Sequence, residues 1–188
     1  MAQAFARHPI PADRAGLDLA AARRGSHMKS KYDVAVVGGA GHVGVPLSLV
    51  LATRGLRTLI YDVNAAALDT LRAGRLPFIE EDGETLLRKA LRTEMLGFTQ
   101  NPAALRGIPA VVVTIGTPID EFHNPNFTLL TRCIDGLLPH FTPGQTIILR
   151  STVAPGATDF LNRHLRKHGS KVGLAFCPER MVQGEGNS

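Results

Sequence analysis

Three glycines at fixed spacing, Gly39, Gly41 and Gly44, lie between two apolar stretches in the segment AVVGGAGHVGVPLS. Where a strand leads into a helix, the first glycine of such a set permits a tight turn. The second lets a pyrophosphate approach the backbone, and the third lets the helix pack closely on the strand. The free N–H groups at the start of the helix then face the phosphates. The spacing predicts a site for a phosphate-bearing ligand; a glycine-rich turn that binds nothing is the alternative.

An acidic residue follows at the distance that a dinucleotide site requires. Asp62 ends the next apolar run, eighteen residues after Gly44, where a carboxylate can bind the hydroxyls of the adenosine ribose. The same carboxylate would repel a 2′-phosphate, so Asp62 favours NAD over NADP. A solvated acid at a strand end is the alternative. His42 and Val43, between the second and third glycines, complete the candidate cofactor-binding residues of this segment.

Three further polar motifs follow later apolar runs. They are TIGTPID (114–120), LRSTVAPG (149–156) and FCPERMVQG (176–184). If the runs are parallel strands, all these motifs lie with the glycine motif along the edge formed by the carboxyl ends of the strands, which is where ligands bind in such sheets. We therefore expect a single cleft lined by all four motifs.

The elements that must position these motifs alternate regularly from Tyr32 onward. The predicted strands cover 33–38, 57–62, 97–99, 109–116, 145–151 and 171–177. The predicted helices cover 42–55, 65–74, 84–96, 127–141 and 156–169, the fourth being helical until Pro139. This alternation predicts an α/β fold with a doubly wound, mostly parallel, six-stranded Rossmann sheet and helices on both faces. We assign 31–188 to this domain and 1–30 to a leader, which we expect to be disordered or a cloning remnant.

Composition argues against several other classes of protein. No apolar run reaches the roughly 18 residues of a membrane-spanning helix, so we expect no membrane partner. The net charge is +5, but four of these charges belong to residues 1–31, aromatic residues are 5% and Trp is absent; we expect no nucleic-acid partner. The two cysteines form no disulfide framework and no metal-ligand spacing. We therefore expect no metal and a reducing, cytoplasmic setting.

Five segments together resemble the N-terminal NAD-binding domain of the UDP-glucose/GDP-mannose dehydrogenase family. They are GGAGHVGVPLS, YDVN, GTPIDEFHNPN, RSTVAPGAT and CPERMVQG, and the similarity extends over residues 32–184. The glycine motif is common to many folds, whereas STVAPG and PER at these positions are much more specific. PER with a following glycine is most similar to the form in UDP-N-acetylmannosamine and GDP-mannose members.

The resemblance implies oxidation of the carbon-6 alcohol of a UDP- or GDP-linked sugar to a carboxylate, with two NAD. In the family a cysteine carries the intermediates, first as a thiohemiacetal and then as a thioester. The resemblance also implies that Thr117 and Thr152 line the cofactor and that Thr152 reaches the reacting centre. Glu179 would serve the hydrolytic water, and Arg180 would face the sugar nucleotide. The full-length enzyme would be a homo-oligomer.

Simpler roles stay open for each of these residues. Thr117 can shape a turn before a proline, and Thr152 can cap the following helix. Glu179 and Arg180 can form an exposed ion pair, which contributes little to stability.

The sequence departs from the family in two side chains and in length. His42 replaces a frequent Tyr, and Gln183 replaces a second carboxylate that some members carry. Family enzymes are more than twice as long, and their nucleophilic cysteine comes from later domains. Of the cysteines present, Cys133 lies on an apolar helix, and Cys177 has no cation nearby in sequence except Arg180.

Three hypotheses follow from these departures. The first is the NAD-binding portion of a nucleotide-sugar dehydrogenase, inactive by itself. The others are a stand-alone NAD-binding module and a different Rossmann oxidoreductase, such as a hydroxyacid dehydrogenase.

Overall fold

The computed structural model describes residues 30–78, 83–116, 128–151 and 156–178, and its centre is one sheet of six strands. The strands are β1 (Val34–Val37), β2 (Thr58–Tyr61), β3 (Leu96–Thr99), β4 (Ala110–Val113), β5 (Thr146–Leu149) and β6 (Gly173–Phe176). All neighbouring strands are parallel, in the order β3-β2-β1-β4-β5-β6. The chain changes direction across the sheet between β1 and β4, and such a switch point leaves a crevice outside the carboxyl ends of the strands.

Within the described ranges five helices connect the strands. They are α1 (Gly44–Thr53), α2 (Ala65–Arg72), α3 (Gly83–Arg92), α4 (Thr128–Leu137) and α5 (Ala157–Lys167). Local sequence explains several of their ends. The Asn64 side chain accepts a hydrogen bond from the Ala67 amide at 3.1 Å and caps α2. Gly55 follows α1 with φ +84°, a conformation that glycine adopts without strain.

Both faces of the sheet carry apolar side chains, because alternate residues of a strand point to opposite faces. On one face, Val37 and Ile147 are buried with Ile134 of α4 and Leu161 of α5. On the other face, Ile60 of β2 is buried in an apolar cluster that each of the first three helices joins. The helix residues of this cluster include Leu49 of α1, Leu68 of α2 and Leu87 of α3. The sheet therefore separates two apolar layers, as the doubly wound fold requires.

The second face is less well covered toward β5 and β6. Val112 belongs to a small cluster with Leu47 and Leu51 of α1, and an apolar hollow of about 430 Å³ lies beside it, with Ile148 in its lining. Strand β6 is largely exposed. Within the described residues the cover of this half of the sheet is thus incomplete.

The predicted architecture is confirmed, and the element ends differ for local reasons. Five of the six strands end one to three residues earlier than predicted, because the chain leaves the ladder to form the loops at the carboxyl edge, whereas β3 ends at Thr99 as predicted. The predicted strand 109–116 ends at Val113. The fourth helix, predicted to be helical until Pro139, ends at Leu137 and continues as a 3₁₀ turn, Leu138–His140. That turn contains Pro139, which cannot donate a helical hydrogen bond. Residues 1–29 lie outside the described part, so the leader stays a prediction.

Candidate functional site

The turn after β1 is built from glycines because neighbouring atoms leave no room for side chains. Gly38 has φ +73°. A Cβ on Gly39 would lie 2.7 Å from the carbonyl oxygen of Val36, and one on Gly44 would lie 2.5 Å from Cα of Gly39. Helix α1 therefore packs directly on the turn. A Cβ on Gly41 would meet only the Gly38 oxygen, at 3.4 Å, so packing among the described residues does not by itself demand a glycine there.

The N-terminus of α1 is open toward the carboxyl edge of the sheet. Val43 precedes the helix and offers it no side-chain cap. The Val45 amide is already used, because it donates to the carbonyl of Gly41 at 3.0 Å, so the donors that a ligand could use lie before Val45. The first amides of an α-helix have no acceptor inside the helix, and the helix dipole favours negative charge beside them. The loop and helix start thus form a cradle suited to a phosphate group.

The Asp62 carboxylate joins the end of β2 to this loop. Its Oδ2 accepts a hydrogen bond from the Ala40 amide at 3.0 Å, and its Oδ1 accepts one from the Asn64 amide, also at 3.0 Å. Each oxygen of an ionised carboxylate has a second acceptor position. The half-buried Asp62 can therefore hold the loop and still accept hydrogen bonds from a ligand.

A threonine makes the corresponding link between β4 and the loop. The Thr114 hydroxyl lies 2.9 Å from the carbonyl oxygen of Val37 and 3.1 Å from that of Gly38. It can donate its hydrogen bond to either oxygen. Because Thr114 opens the motif after β4, this contact fixes the start of that motif against the glycine turn.

The motifs after β5 and β6 are joined to the same edge. The Ser151 hydroxyl donates to the carbonyl of Ile115, one residue beyond Thr114. The Arg150 guanidinium donates to the carbonyl of Pro178 at 2.9 Å. Hydrogen bonds from side chains to the backbone thus connect the carboxyl ends of five strands that are neighbours in the sheet, in the order β2-β1-β4-β5-β6. The expected convergence of the four motifs on one edge is found in their described parts.

An aromatic contact adds a residue that sequence reasoning missed. The His42 imidazole lies against the Phe78 ring with centroids 4.2 Å apart and planes at 31°. Phe78 comes from the segment after α2, thirty-six residues along the chain. No motif marks Phe78, so only the folded chain reveals that the loop has an aromatic neighbour.

The structure brings together one group of the candidate residues and does not describe the other. Together at the ends of β1 and β2 are Gly39, Gly41, His42, Val43, Gly44 and Asp62. Outside the described residues are Thr117, Thr152, Glu179 and Arg180. The described residues that directly precede these segments, Gly116, Ser151 and Pro178, lie along the carboxyl edge.

The two cysteines have different surroundings. Cys133 packs against the core, and burial raises the pKa of its thiol to about 11. Cys177 is exposed after β6, and Nη1 of Arg150 lies 3.5 Å from its sulfur. The described cation beside Cys177 is therefore Arg150, from the adjacent strand end. The sequence had pointed to Arg180, which the structure does not describe.

The fold and the cradle define a class, the dinucleotide-binding domain of NAD-dependent dehydrogenases. The family model for the NAD-binding domain of the UDP-glucose/GDP-mannose dehydrogenase family matches residues 32–188. The chain belongs to this family, and its cofactor is NAD. The resemblance carried by the sequence motifs is confirmed.

Several relatives match this chain over most of its length. The NDP-N-acetyl-D-galactosaminuronic acid dehydrogenase of Ralstonia nicotianae is 28% identical over 158 residues, which cover 78% of this chain and 37% of that protein. The UDP-N-acetyl-D-mannosamine dehydrogenase of Yersinia pestis is 25% identical, with 82% and 39% covered. The structure of the UDP-N-acetyl-mannosamine dehydrogenase Cap5O from Staphylococcus aureus superposes with a TM-score of 0.72 at 28% identity, with 80% and 37% covered. The chain thus spans well under half the length of these relatives.

Among the described residues no group of three or more His, Cys, Asp or Glu side chains is placed to hold a metal ion. No helix in the described ranges has the length and apolar character needed to cross a membrane.

Proposed function

We propose that this chain is the NAD-binding portion of a dehydrogenase that oxidises the carbon-6 alcohol of a UDP- or GDP-linked sugar to the carboxylate. The observation that supports the proposal most is the set of hydrogen bonds that joins the four strand-end motifs. They include the bonds of Asp62 to Ala40, of Ser151 to Ile115 and of Arg150 to Pro178. Relatives named for N-acetylated UDP-sugars make such sugars the first substrates to test.

The described residues fit the cofactor. The uncapped start of α1 and the side chain-free surface of Gly41 would receive the pyrophosphate, with amides from the His42–Gly44 stretch as donors. Asp62 would accept hydrogen bonds from the adenosine ribose through its remaining lone pairs. NAD supplies the hydride acceptor for each oxidation.

The substrate half of the cleft is assigned by the family resemblance. Thr117 and Thr152 would line the cofactor, with Thr152 closest to the reacting carbon. Glu179 would orient the water that hydrolyses the thioester, and Arg180 would contact the sugar nucleotide. In support, the described neighbours of all four residues lie on the same edge as Asp62.

The nucleophilic thiol is proposed to come from a part of the enzyme outside residues 32–188. Cys133 is packed against the core and its pKa is raised, so it has almost no thiolate at neutral pH. Cys177 is exposed just after the edge strand β6, where water would compete with its thiol for addition to the aldehyde. We expect these 188 residues alone to bind NAD without sustained turnover.

The first experiment follows the purified chain by calorimetry with NAD and by NADH absorbance with UDP-glucose, UDP-N-acetylmannosamine, UDP-N-acetylgalactosamine and GDP-mannose. NAD binding without NADH formation is expected. Sustained NADH production that disappears in Cys177→Ser would make Cys177 the nucleophile and overturn the assignment of the thiol.

The second experiment uses the full-length natural polypeptide that contains these residues. Formation of two NADH for each molecule of one nucleotide sugar is the expected result. One NADH per sugar would contradict oxidation to the carboxylate. NAD binding with no NADH from any sugar would favour the stand-alone NAD-binding module.

A further inference from the structure

The exposed His42 belongs to the glycine loop that precedes α1. His42 follows Gly41 directly and precedes the start of α1 by one residue, and it is exposed. Its ring face contacts Phe78, at 4.2 Å between centroids. A contact through the ring face leaves the ring edge, with both nitrogens, available. Within the described residues neither nitrogen of His42 has a hydrogen-bond partner.

The contact with Phe78 restricts an otherwise free side chain. An exposed histidine samples several rotamers, and ordering it on a ligand costs conformational entropy. An aromatic neighbour in van der Waals contact removes part of that cost before the ligand binds. Phe78 is itself half-buried and packs against the apolar layer under α1, α2 and α3. The imidazole therefore rests on a side chain that the fold already positions.

We propose that the His42 imidazole donates a hydrogen bond to the pyrophosphate of the dinucleotide, and that Phe78 is a positioning residue that holds the imidazole for this contact. The proposal rests on the NAD site of the family. It adds a side-chain donor to the backbone amides that the glycine motif provides. A neutral imidazole carries one N–H donor and a protonated one carries two, so the contact is available in both forms.

The two residues make separable contributions. His42→Phe keeps an aromatic ring against Phe78 and removes the donor. Phe78→Ala keeps the donor and removes its support, and Phe78→Tyr keeps the support. Because Phe78 acts through His42, adding Phe78→Ala to His42→Phe should weaken binding no further than His42→Phe alone.

Calorimetric titration of the purified chain with NAD, ADP and adenosine tests this arrangement. His42→Phe should weaken NAD and ADP about three- to tenfold, the usual range for one hydrogen bond, and leave adenosine unchanged because it has no phosphate. Phe78→Ala should show a smaller loss with the same ligand pattern, and Phe78→Tyr should bind as the parent does. The matched control is His168→Phe, because His168 is an exposed histidine after α5. This variant should leave the affinities for NAD, ADP and adenosine unchanged.

Nuclear magnetic resonance supplies a second readout. The His42 ring resonances should shift on saturation with ADP and not with adenosine, and the ADP-induced shift should shrink in Phe78→Ala. The proposal is overturned if His42→Phe binds ADP as tightly as the parent, if adenosine is weakened equally, or if the two variants are additive. If the parent binds neither NAD nor ADP, NAD binding by this domain is contradicted as well. Titration of the parent therefore distinguishes failure of the His42 proposal from failure of the proposed function.

Discussion

The Asp62 carboxylate accepts a hydrogen bond from the Ala40 amide, with 3.0 Å between Oδ2 and the nitrogen. This bond joins the end of β2 to the glycine loop after β1. The acid that we propose as the ribose ligand is therefore also part of the structure that holds the glycine loop. A substitution at Asp62 therefore changes both the proposed ribose contact and the support of the loop, and two different substitutions are needed to separate these effects.

Cofactor preference tests the charge of Asp62. Calorimetry of the parent chain should show tighter binding of NAD than of NADP by at least tenfold, or about 1.4 kcal/mol. Asp62→Asn keeps one oxygen acceptor for the Ala40 amide, leaves the exposed Asn64 amide to water and removes the negative charge. The preference for NAD should therefore shrink, and the melting temperature should fall less than in Asp62→Ala. Asp62→Ala leaves the nearly buried Ala40 amide without this acceptor and should destabilise the fold by about 1–3 kcal/mol. Equal binding of NADP by the parent would show that Asp62 is not the ribose ligand.

Close packing of α1 on the loop predicts opposite effects for two glycine substitutions. Gly44→Ala places a Cβ 2.5 Å from Cα of Gly39, and backbone cannot move aside cheaply; we expect a loss of about 1–3 kcal/mol and weaker NAD binding. Gly136→Ala, in the last turn of α4, meets nothing within 4 Å and should stabilise the protein by about 0.4–1 kcal/mol. Thermal unfolding of both variants measures the difference. A Gly44→Ala protein as stable as the parent would disprove the close approach.

The proposed role of Glu179 predicts where the reaction stops. In the full-extent enzyme, Glu179→Gln should accumulate the covalent thioester, because the amide cannot take a proton from the hydrolytic water. Intact-protein mass spectrometry after incubation with NAD and the nucleotide sugar detects the adduct, and NAD affinity should stay close to that of the parent. Loss of NAD binding or of folding in this variant would show that Glu179 is structural.

The surroundings of the two thiols predict a large difference in reactivity. At pH 8 a maleimide should label exposed Cys177 rapidly and Cys133 slowly, because burial raises the pKa of Cys133 to about 11 and only the thiolate reacts quickly. Peptide mass mapping with time identifies the labelled site, and Cys177→Ser should leave only the slow phase. Fast labelling of Cys133 in the native protein would contradict its burial.

The same thiol predicts a pH dependence of stability. A folded-state pKa raised above the ordinary value of 9.0 gives a stabilising contribution that is present below pH 9 and is lost as the pH rises toward 11. Cys133→Ala removes this titration. The free energy of unfolding should therefore fall less between pH 9 and 11 in Cys133→Ala than in the parent. Identical slopes would show that Cys133 does not contribute.

Much of the fold could be predicted because its signals are local. The apolar runs that became β1, β2, β4 and β5 are continuous rather than alternating, as strands buried on both faces must be. The Asn64 cap and the Gly55 helix end depend on neighbours within a few residues. The glycine turn is also local, since the backbone around Gly39 and Gly44 leaves no space for side chains whatever lies further away.

Contacts between distant segments could not be predicted in the same way. Phe78 meets His42 only because the segment after α2 returns over the glycine loop. Arg150 reaches Cys177 only because β5 and β6 pair in parallel with Leu149 opposite Phe176. Neither contact has a spacing rule, because both depend on strand order and register.

The sequence by itself determined which groups are available for chemistry: a glycine turn suited to a phosphate, an acid that we propose as a ribose ligand, and polar motifs at the strand ends. The tertiary structure decided which side chains hold these pieces together, namely Asp62 on Ala40, Thr114 on Val37, Ser151 on Ile115 and Arg150 on Pro178. The physical reason is that a motif records which groups the backbone and ligand need at one point of the chain. A lateral hydrogen bond exists only after neighbouring strands have paired in one register and brought their carboxyl ends to a common edge.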